Sequence, residues 1–374
     1  MKVALALFYL FYFALVGVYI IFMPKVLLDF GYSSVEVGVI YSSAPFMRFL
    51  LPFIFKHFIK LTSSVYLISL VLTFIASLIF LDTVENFYLY LLSNLLFGAS
   101  MGVSLPFIET IALKKLSKKE YGRIRLWGSI GFIAIALWLG KILSTNYEAL
   151  YYLSSMAFLT LIFGFVILKI IKEDRELEQQ DNKSFSLMRY WAFWVSIFLM
   201  QLAFGGFYNF FTIYETSHGI SLEMTSWMWT FGVICEIFML FFQGALLQKN
   251  LLKIIQISIL VTVFRWLLLY LYADNIIVTF ASQSLHAISF ALYHTATITY
   301  IFSLYTQKRL AQQFVLGIGF GLGGSLGALL SGKIYGEHLF LIEAIITFGA
   351  FVMLWIHTRR KSIENYNTVQ DIYL

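Results

Sequence analysis

Apolar residues run along this chain in long unbroken blocks. They do not alternate as in a half-exposed strand, nor form the narrow stripe of a soluble helix. Read in windows of about 20 residues, the length a helix needs to cross a hydrocarbon core, the blocks number twelve. They lie at 3–28, 34–55, 62–81, 85–112, 124–144, 148–168, 190–214, 222–247, 254–272, 276–304, 312–333 and 338–357. Continuous apolarity argues against a strand barrel. The first block is apolar from Val3 to Met23 and lacks a small-residue cleavage pattern, so it is read as an uncleaved helix. The connections are short except for 169–188, KIIKEDRELEQQDNKSFSLM, which divides six spans from six. The prediction is an all-α polytopic membrane protein of twelve transmembrane helices. A six-helix bundle is expected at 1–168, a linker at 169–188, a second six-helix bundle at 189–358 and a tail at 359–374.

Composition supports that reading. Of 374 residues, 60% are apolar and 12% charged, about half the charge of a soluble domain. A polar skin cannot be built from this, and disorder is excluded by the same values. The net charge of +6 would suit nucleic acid if the basic residues shared one face, and they do not. With the N-terminus inside, 21 of the 26 Lys and Arg residues fall in cytoplasmic segments, and Lys25, Lys141 and Lys333 fall opposite. Arg48 and Arg265 remain, both inside spans. This asymmetry predicts cytoplasmic termini in a plasma membrane (a bacterial inner membrane) and no nucleic-acid partner. The one cysteine, Cys235, excludes an intramolecular disulfide and is expected to be a small buried hydrophobe. Neither a metal nor a cofactor is expected. An ATP-driven pump and a membrane transferase find no motif, so the chain is not read as an enzyme.

The halves echo each other. At an offset of 188, Gly31 falls on Gly219, Ser33 on Ser221 and Arg48 on Glu236. A second echo joins Gly128-Ser-Ile-Gly131 to Gly324-Ser-Leu-Gly327. Repeated halves enclosing a midplane site are the architecture of alternating-access transporters.

Ionisable residues within spans are costly, about 2.5–3.5 kcal/mol each on insertion scales, and persist where paired, hydrated or useful. Here they are Arg48, Glu109, Glu236, Arg265, His286 and His294. Glu236 and Arg265 lie mid-depth on consecutive antiparallel spans and are expected to pair. His286 and His294 lie two turns apart on the tenth span, about 80° apart around an α-helix, where both can face one cavity and change protonation. Glu109 and Arg125 are expected to pair across the hairpin of spans four and five. Thus Glu236, Arg265, His286, His294, Glu109 and Arg125 are the candidate proton-coupling residues. Arg48, Gln201, Tyr208, Asn209, Tyr214 and Tyr12 are the candidate substrate-cavity residues, beside aromatic-dense stretches at Phe8–Tyr12 and Phe207–Phe211. The polar groups lie at mid-depth, which favours a translocation path over a membrane enzyme or a sensor.

Two phosphate-loop look-alikes mislead. Gly319–Gly324 satisfies G-x-G-x-x-G, and Gly327–Lys333 nearly satisfies a P-loop. Neither follows a strand, and Ile334 stands where a magnesium-binding hydroxyl belongs. Their i, i+4 spacing, like that of Gly98 and Gly102, reads as close helix packing. Pro24, Pro45, Pro52 and Pro106 predict bends in the first half.

Tyr121-Gly-Arg-Ile-Arg-Leu-Trp-Gly-Ser129, with Glu236, Arg265-Trp266 and His286, is similar to the signature of major facilitator transporters of the phenylpropionate permease-like group, which is related to the lactose and nucleoside proton symporters. The resemblance covers nearly the whole chain. It implies a monomeric proton symporter for a small organic solute, an aromatic carboxylic acid first and a sugar or nucleoside next. It also implies a coupling set of Glu236, Arg265 and the span-ten histidines. The usual Gly-x-x-x-Asp-Arg loop is replaced here by Phe55-Lys-His-Phe-Ile-Lys60, which removes that loop's acid.

Overall fold

The structure, a computed structural model, describes residues 1–57, 61–171 and 186–373. Most of the expected linker and the end of the loop at 55–60 lie outside the described residues. Among the described residues, twelve helices are long and apolar enough to cross a membrane. They are α1 Lys2–Asp29, α2 Ser34–Phe55, α3 Ser63–Thr83, α4 Phe87–Lys115, α5 Lys119–Ile142, α6 Asn146–Ile170, α7 Met188–Ser217, α8 Leu222–Phe242, α9 Leu251–Leu271, α10 Ile276–Leu304, α11 Leu310–Ile334 and α12 Leu339–Arg360.

Local chemistry sets the starts of these helices. Ser117 and Glu120 close a capping box ahead of α5, and Thr145 with Glu148 does the same for α6. Thr62, Asn86, Ser221, Asn250 and Asn275 each accept from a first-turn N–H. The first sequence echo is a turn device. Gly31 and Gly219 both have positive φ (94° and 84°), a conformation that favours glycine. Two residues later, Ser33 and Ser221 cap the next helix.

The second echo is a packing device. A side chain at Gly131 would run into the Leu10 carbonyl of α1, and one at Gly327 would stand 2.5 Å from the Leu202 carbonyl of α7. The repeat thus recurs as the same close approach, α5 on α1 and α11 on α7. The glycines that mimic nucleotide loops have the same use. Gly319 and Gly323 lie against Gln201, Gly321 lies against Phe49 of α2, and Gly98 packs on Ala44. This is small-residue membrane packing.

The two six-helix bundles meet along α2–α11 and α5–α8. At the end where the chain turns at Gly31, Gly219 and Gly336, this contact is tight. A Cβ on Gly38 would stand 2.7 Å from the Ala328 carbonyl and 2.9 Å from the Gly332 Cα, and Gly140 abuts Ser226. This end is sealed. Toward the other end Arg48 is exposed, and Glu109 and Arg125 stay about one-third exposed.

Four spans are irregular. α1 passes through a π turn at Val18–Phe22 just before Pro24, as expected where proline withholds an N–H. α7 is broken at Ala203–Phe204. α10 holds a 3-10 turn at Gln283–Leu285 followed by a π segment at Ala287–Leu292. α11 is π-helical over Val315–Gly323. The last three contain no proline, whereas Pro45, Pro52 and Pro106 lie inside uninterrupted α-helix in α2 and α4. Cys235 is half-buried rather than buried.

The packing glycines give a stability prediction. Gly131→Ala should cost about 1–3 kcal/mol through overpacking. Gly122→Ala, where nothing lies within 4 Å, should be neutral or slightly stabilising. Thermal unfolding of the two variants in detergent compares them directly, and equal melting temperatures would contradict the packing account.

Candidate functional site

The site is built around Arg265 of α9, which is fully buried. A buried guanidinium must have its N–H groups answered. Nη2 donates to Gln283 Oε1 at 2.6 Å. Nη1 lies 3.0 Å from His286 Nδ1 and 3.3 Å from Ser289 Oγ. Its flat faces are covered by Phe207 at 4.2 Å and Trp266 at 4.9 Å from the ring centroids, where cation–π attraction adds to the polar contacts.

All three acceptors come from α10, and its irregular backbone presents them. Residues 283, 286 and 289 would spread over about 120° of an α-helix. In a 3-10 turn, side chains three apart eclipse, so Gln283 and His286 line up on the Arg265 side. The π segment then widens the next turns. His286, Phe290 and His294 become a stacked column, with centroids 5.1 Å and 6.2 Å apart and nearly parallel rings. The two histidines are thus linked through the Phe290 ring, and His286 belongs to both rows.

The direct Glu236–Arg265 pair expected from sequence is not formed. His286 stands between them, with Nε2 3.7 Å from Glu236 Oε2. Arginine carries only donors, so His286 Nδ1 is the acceptor toward Arg265 and its ring proton sits on Nε2, aimed at Glu236. Nor can His286 become an imidazolium without losing the Arg265 contact. Glu236 keeps 23% of its side-chain surface, and its carboxylate lies within the electrostatic reach of Arg125 from the opposite bundle.

Arg125 makes the expected hairpin contact, Nε to Glu109 Oε1 at 3.3 Å. It also lies over Phe13 at 4.1 Å and Tyr9 at 5.3 Å. Gly128, one turn along, leaves room for this, since a Cβ there would press on Phe13 and Arg125. That explains the spacing of Arg125 and Gly128 in the sequence signature.

The other candidates divide. Tyr208 stacks on Phe204 and lies near Trp229 and Phe290, beside the Arg265 cluster. His294 is half-buried, edge-on to Phe320. Arg48 is exposed and carries no ion pair among the described residues. By contrast, Tyr12 is buried and donates to the Met101 carbonyl at 3.2 Å. Gln201 is buried against the glycines of α11, and Asn209 bonds back to Gly205 O at 2.7 Å. Tyr214 packs against His218 and Phe340 and not on the Arg265 cluster. Phe8, Tyr9, Phe207, Phe210 and Phe211 are all buried, so the aromatic stretches of α1 and α7 line the bundle interior rather than face lipid.

Sequence reading missed several polar groups. Gln283 and Ser289 are uncharged and gave no signal until the backbone of α10 aligned them. Asn94 is fully buried and joins α1, α2 and α4 through Tyr19 Oη (2.9 Å), the Ile40 carbonyl (2.8 Å) and Ser43 Oγ (2.9 Å). Glu215 and Glu343 are buried carboxylates. Both sit within a turn or so of a span's end, where an acid is easily taken for an interfacial one.

The model of the MFS_1 like family matches residues 2–348. The chain is 23% identical over 368 residues to the probable 3-phenylpropionic acid transporter of Escherichia coli (strain K12), covering 93% of this chain and 96% of that protein. It is 26% identical over 336 residues to the uncharacterized transporter YwbF of Bacillus subtilis (strain 168), covering 85% and 82%. In fold it is similar to the crystal structure of the nucleoside transporter NupG, with a TM-score of 0.74, 20% identity and coverage of 96% and 98%. A bacterial homolog of the human lysosomal transporter Spinster, in an inward-facing and occupied conformation, gives 0.71, 13% identity and 96% of each chain. The chain belongs to the MFS_1 like family. It is a multi-pass plasma-membrane transporter of the major facilitator type and not an enzyme.

Gln283→Leu tests the Arg265 cluster. It removes the Nη2 acceptor while keeping an apolar filling, and should lower stability by about 1–3 kcal/mol. The loss is read as a lower melting temperature against Ser284→Ala, an exposed neighbour. An unchanged value would show that Arg265 does not depend on Gln283.

Proposed function

We propose that the chain is a proton symporter for a small aromatic carboxylic acid, working by alternating access of its two bundles, with both termini cytoplasmic. The observation that carries the reading is the Glu236–His286–Arg265 chain. It sets one partly accessible carboxylate against a buried, permanently charged guanidinium through a single imidazole. Glu236 is the proton carrier. Its negative charge is answered by Arg265 through His286 and by Arg125 from the facing bundle. Protonation cancels the attraction to Arg125, and with it an electrostatic tie between the bundles. His286 orients the pair and stays neutral while it holds Arg265.

The surroundings support the substrate class. Tyr208, Phe207, Trp229 and Phe290 offer aromatic faces beside the cluster. Arg48 offers an accessible guanidinium without a counter-ion among the described residues, which suits a carboxylate. The relative named as a probable 3-phenylpropionic acid transporter agrees with that chemistry. Twelve spans return the end of α12 to the side of Lys2, and the excess of Lys and Arg in the loops of that side supports a cytoplasmic location. A monomer contains both bundles and the whole cluster.

Uptake into proteoliposomes with an imposed pH gradient tests the proposal, with 3-phenylpropionate as first probe and a sugar and a nucleoside beside it. Accumulation should follow the gradient and collapse with an uncoupler. Uptake of every probe that ignores both would end the symport reading. In the same assay Glu236→Gln should abolish accumulation and leave exchange, whereas unchanged accumulation would make Glu236 structural. Arg48→Ala should raise the KM for the acid at least tenfold, the value of one charge-assisted hydrogen bond of about 1.5–3 kcal/mol. His286→Asn and His294→Asn should each shift the pH profile of uptake, and an unaltered profile removes that histidine from the mechanism.

A further inference from the structure

The break in α7 is held by a carboxylate that belongs to neither the coupling set nor the substrate wall. The second half of α7, Gly205–Ser217, begins in the bundle interior, where its first N–H groups have no helical partner. Glu343 of α12, 1% exposed, reaches that N-terminus and accepts from the Gly206 N–H through Oε1. The same oxygen accepts from Ser331 Oγ of α11 at 3.1 Å. Its other oxygen has no partner among the described residues. The carboxyl group is therefore committed to the break and makes no ion pair among the described residues.

The surrounding backbone is shaped for this contact. Gly205 abuts Gly327 of α11, and a side chain at Gly206 would occupy the place of the Glu343 carboxylate. The break is thus clamped from two sides, by Gly327 and Ser331 of α11 and by Glu343 of α12. An acceptor oxygen at a helix N-terminus answers an N–H that the helix itself leaves orphaned.

The next residue is Phe207. Its ring covers the Arg265 guanidinium at 4.2 Å, packs on Trp229 at 4.6 Å and stands 5.6 Å from His286. One peptide unit separates the bond that Glu343 makes from the ring that closes the cluster. We infer that Glu343 is a positioning residue of the transport site. By capping the broken α7 it sets where Phe207 stands over Arg265 and beside His286, without touching the substrate. The placement of Phe207 is independent of the proposed function; the consequence for transport rests on it.

Hydrogen–deuterium exchange on the full chain in nanodiscs reads the placement without a substrate. Glu343→Ala should speed exchange of amides in 204–209 tenfold or more, leaving peptides of α3 unchanged. Glu343→Gln keeps an oxygen for the Gly206 N–H and should stay within threefold of the parent. No local increase in the alanine variant, an increase spread over all helices, or equal behaviour of the two variants would each overturn the inference. If the alanine variant does not fold, Glu343→Asp replaces it. Its shorter arm cannot serve both Gly206 and Ser331, so it should exchange like a broken cap, and parental exchange would refute the role. Uptake of 3-phenylpropionate by the folded variants then separates the two claims. A raised KM with retained maximal rate, reversed in Glu343→Gln, places the effect at the site. A local exchange effect without any change in KM denies Glu343 a positioning role in transport. Absence of uptake in the parent bears on the substrate assignment alone.

Discussion

A guanidinium buried among membrane helices is the constraint around which this molecule is organised. Arg265 cannot lose its proton, and it lies where water does not reach. Its charge must therefore be met by fixed dipoles and ring faces. Meeting it takes three side chains from one face of α10 and two rings from α7 and α9. No regular α-helix presents residues 283, 286 and 289 in a single row, so α10 tightens and then widens. No unbroken α7 would begin a new helix at Gly205, one turn from the rings that cover the charge. The irregular backbone of α7 and α10 follows a buried group that cannot be neutralised.

The same arrangement sorts the ionisable groups by freedom. Arg265 and His286 are locked to each other, and Glu343 is locked to a backbone amide. Glu236, Arg48, Glu109 and Arg125 keep accessible surface. A transporter needs both kinds. The locked groups hold the shape of the site, and the accessible ones stay open to solvent. Glycine contacts at the sealed end, Gly38 on Ala328 and Gly332, and Gly140 on Ser226, let the bundles approach backbone to backbone there. They do so, among the described residues, without an ion pair between the bundles.

Much of this was legible in the chain. Twelve apolar blocks became twelve helices with ends displaced by a few residues, because a bilayer demands one length and a satisfied backbone. Both echoes became matching structural devices, the positive-φ turns at Gly31 and Gly219 and the glycine approaches at Gly131 and Gly327. The Glu109–Arg125 contact followed from a short hairpin. The Glu236–Arg265 pair did not form. Equal depth on neighbouring spans places two residues near each other, yet it does not say which third side chain stands between them.

The sequence by itself determined the number of spans, the expected orientation, the halving of the chain and the rarity of charge in its interior. Those depend on local composition and length, which each segment carries alone. Tertiary structure alone decided that His286 bridges Glu236 to Arg265, that His286, Phe290 and His294 form one column, and that Glu343 caps α7. These outcomes depend on where π turns, 3-10 turns and breaks rotate the side chains. Such departures are fixed by how neighbouring helices pack and where unanswered polar groups find partners, which no single segment contains.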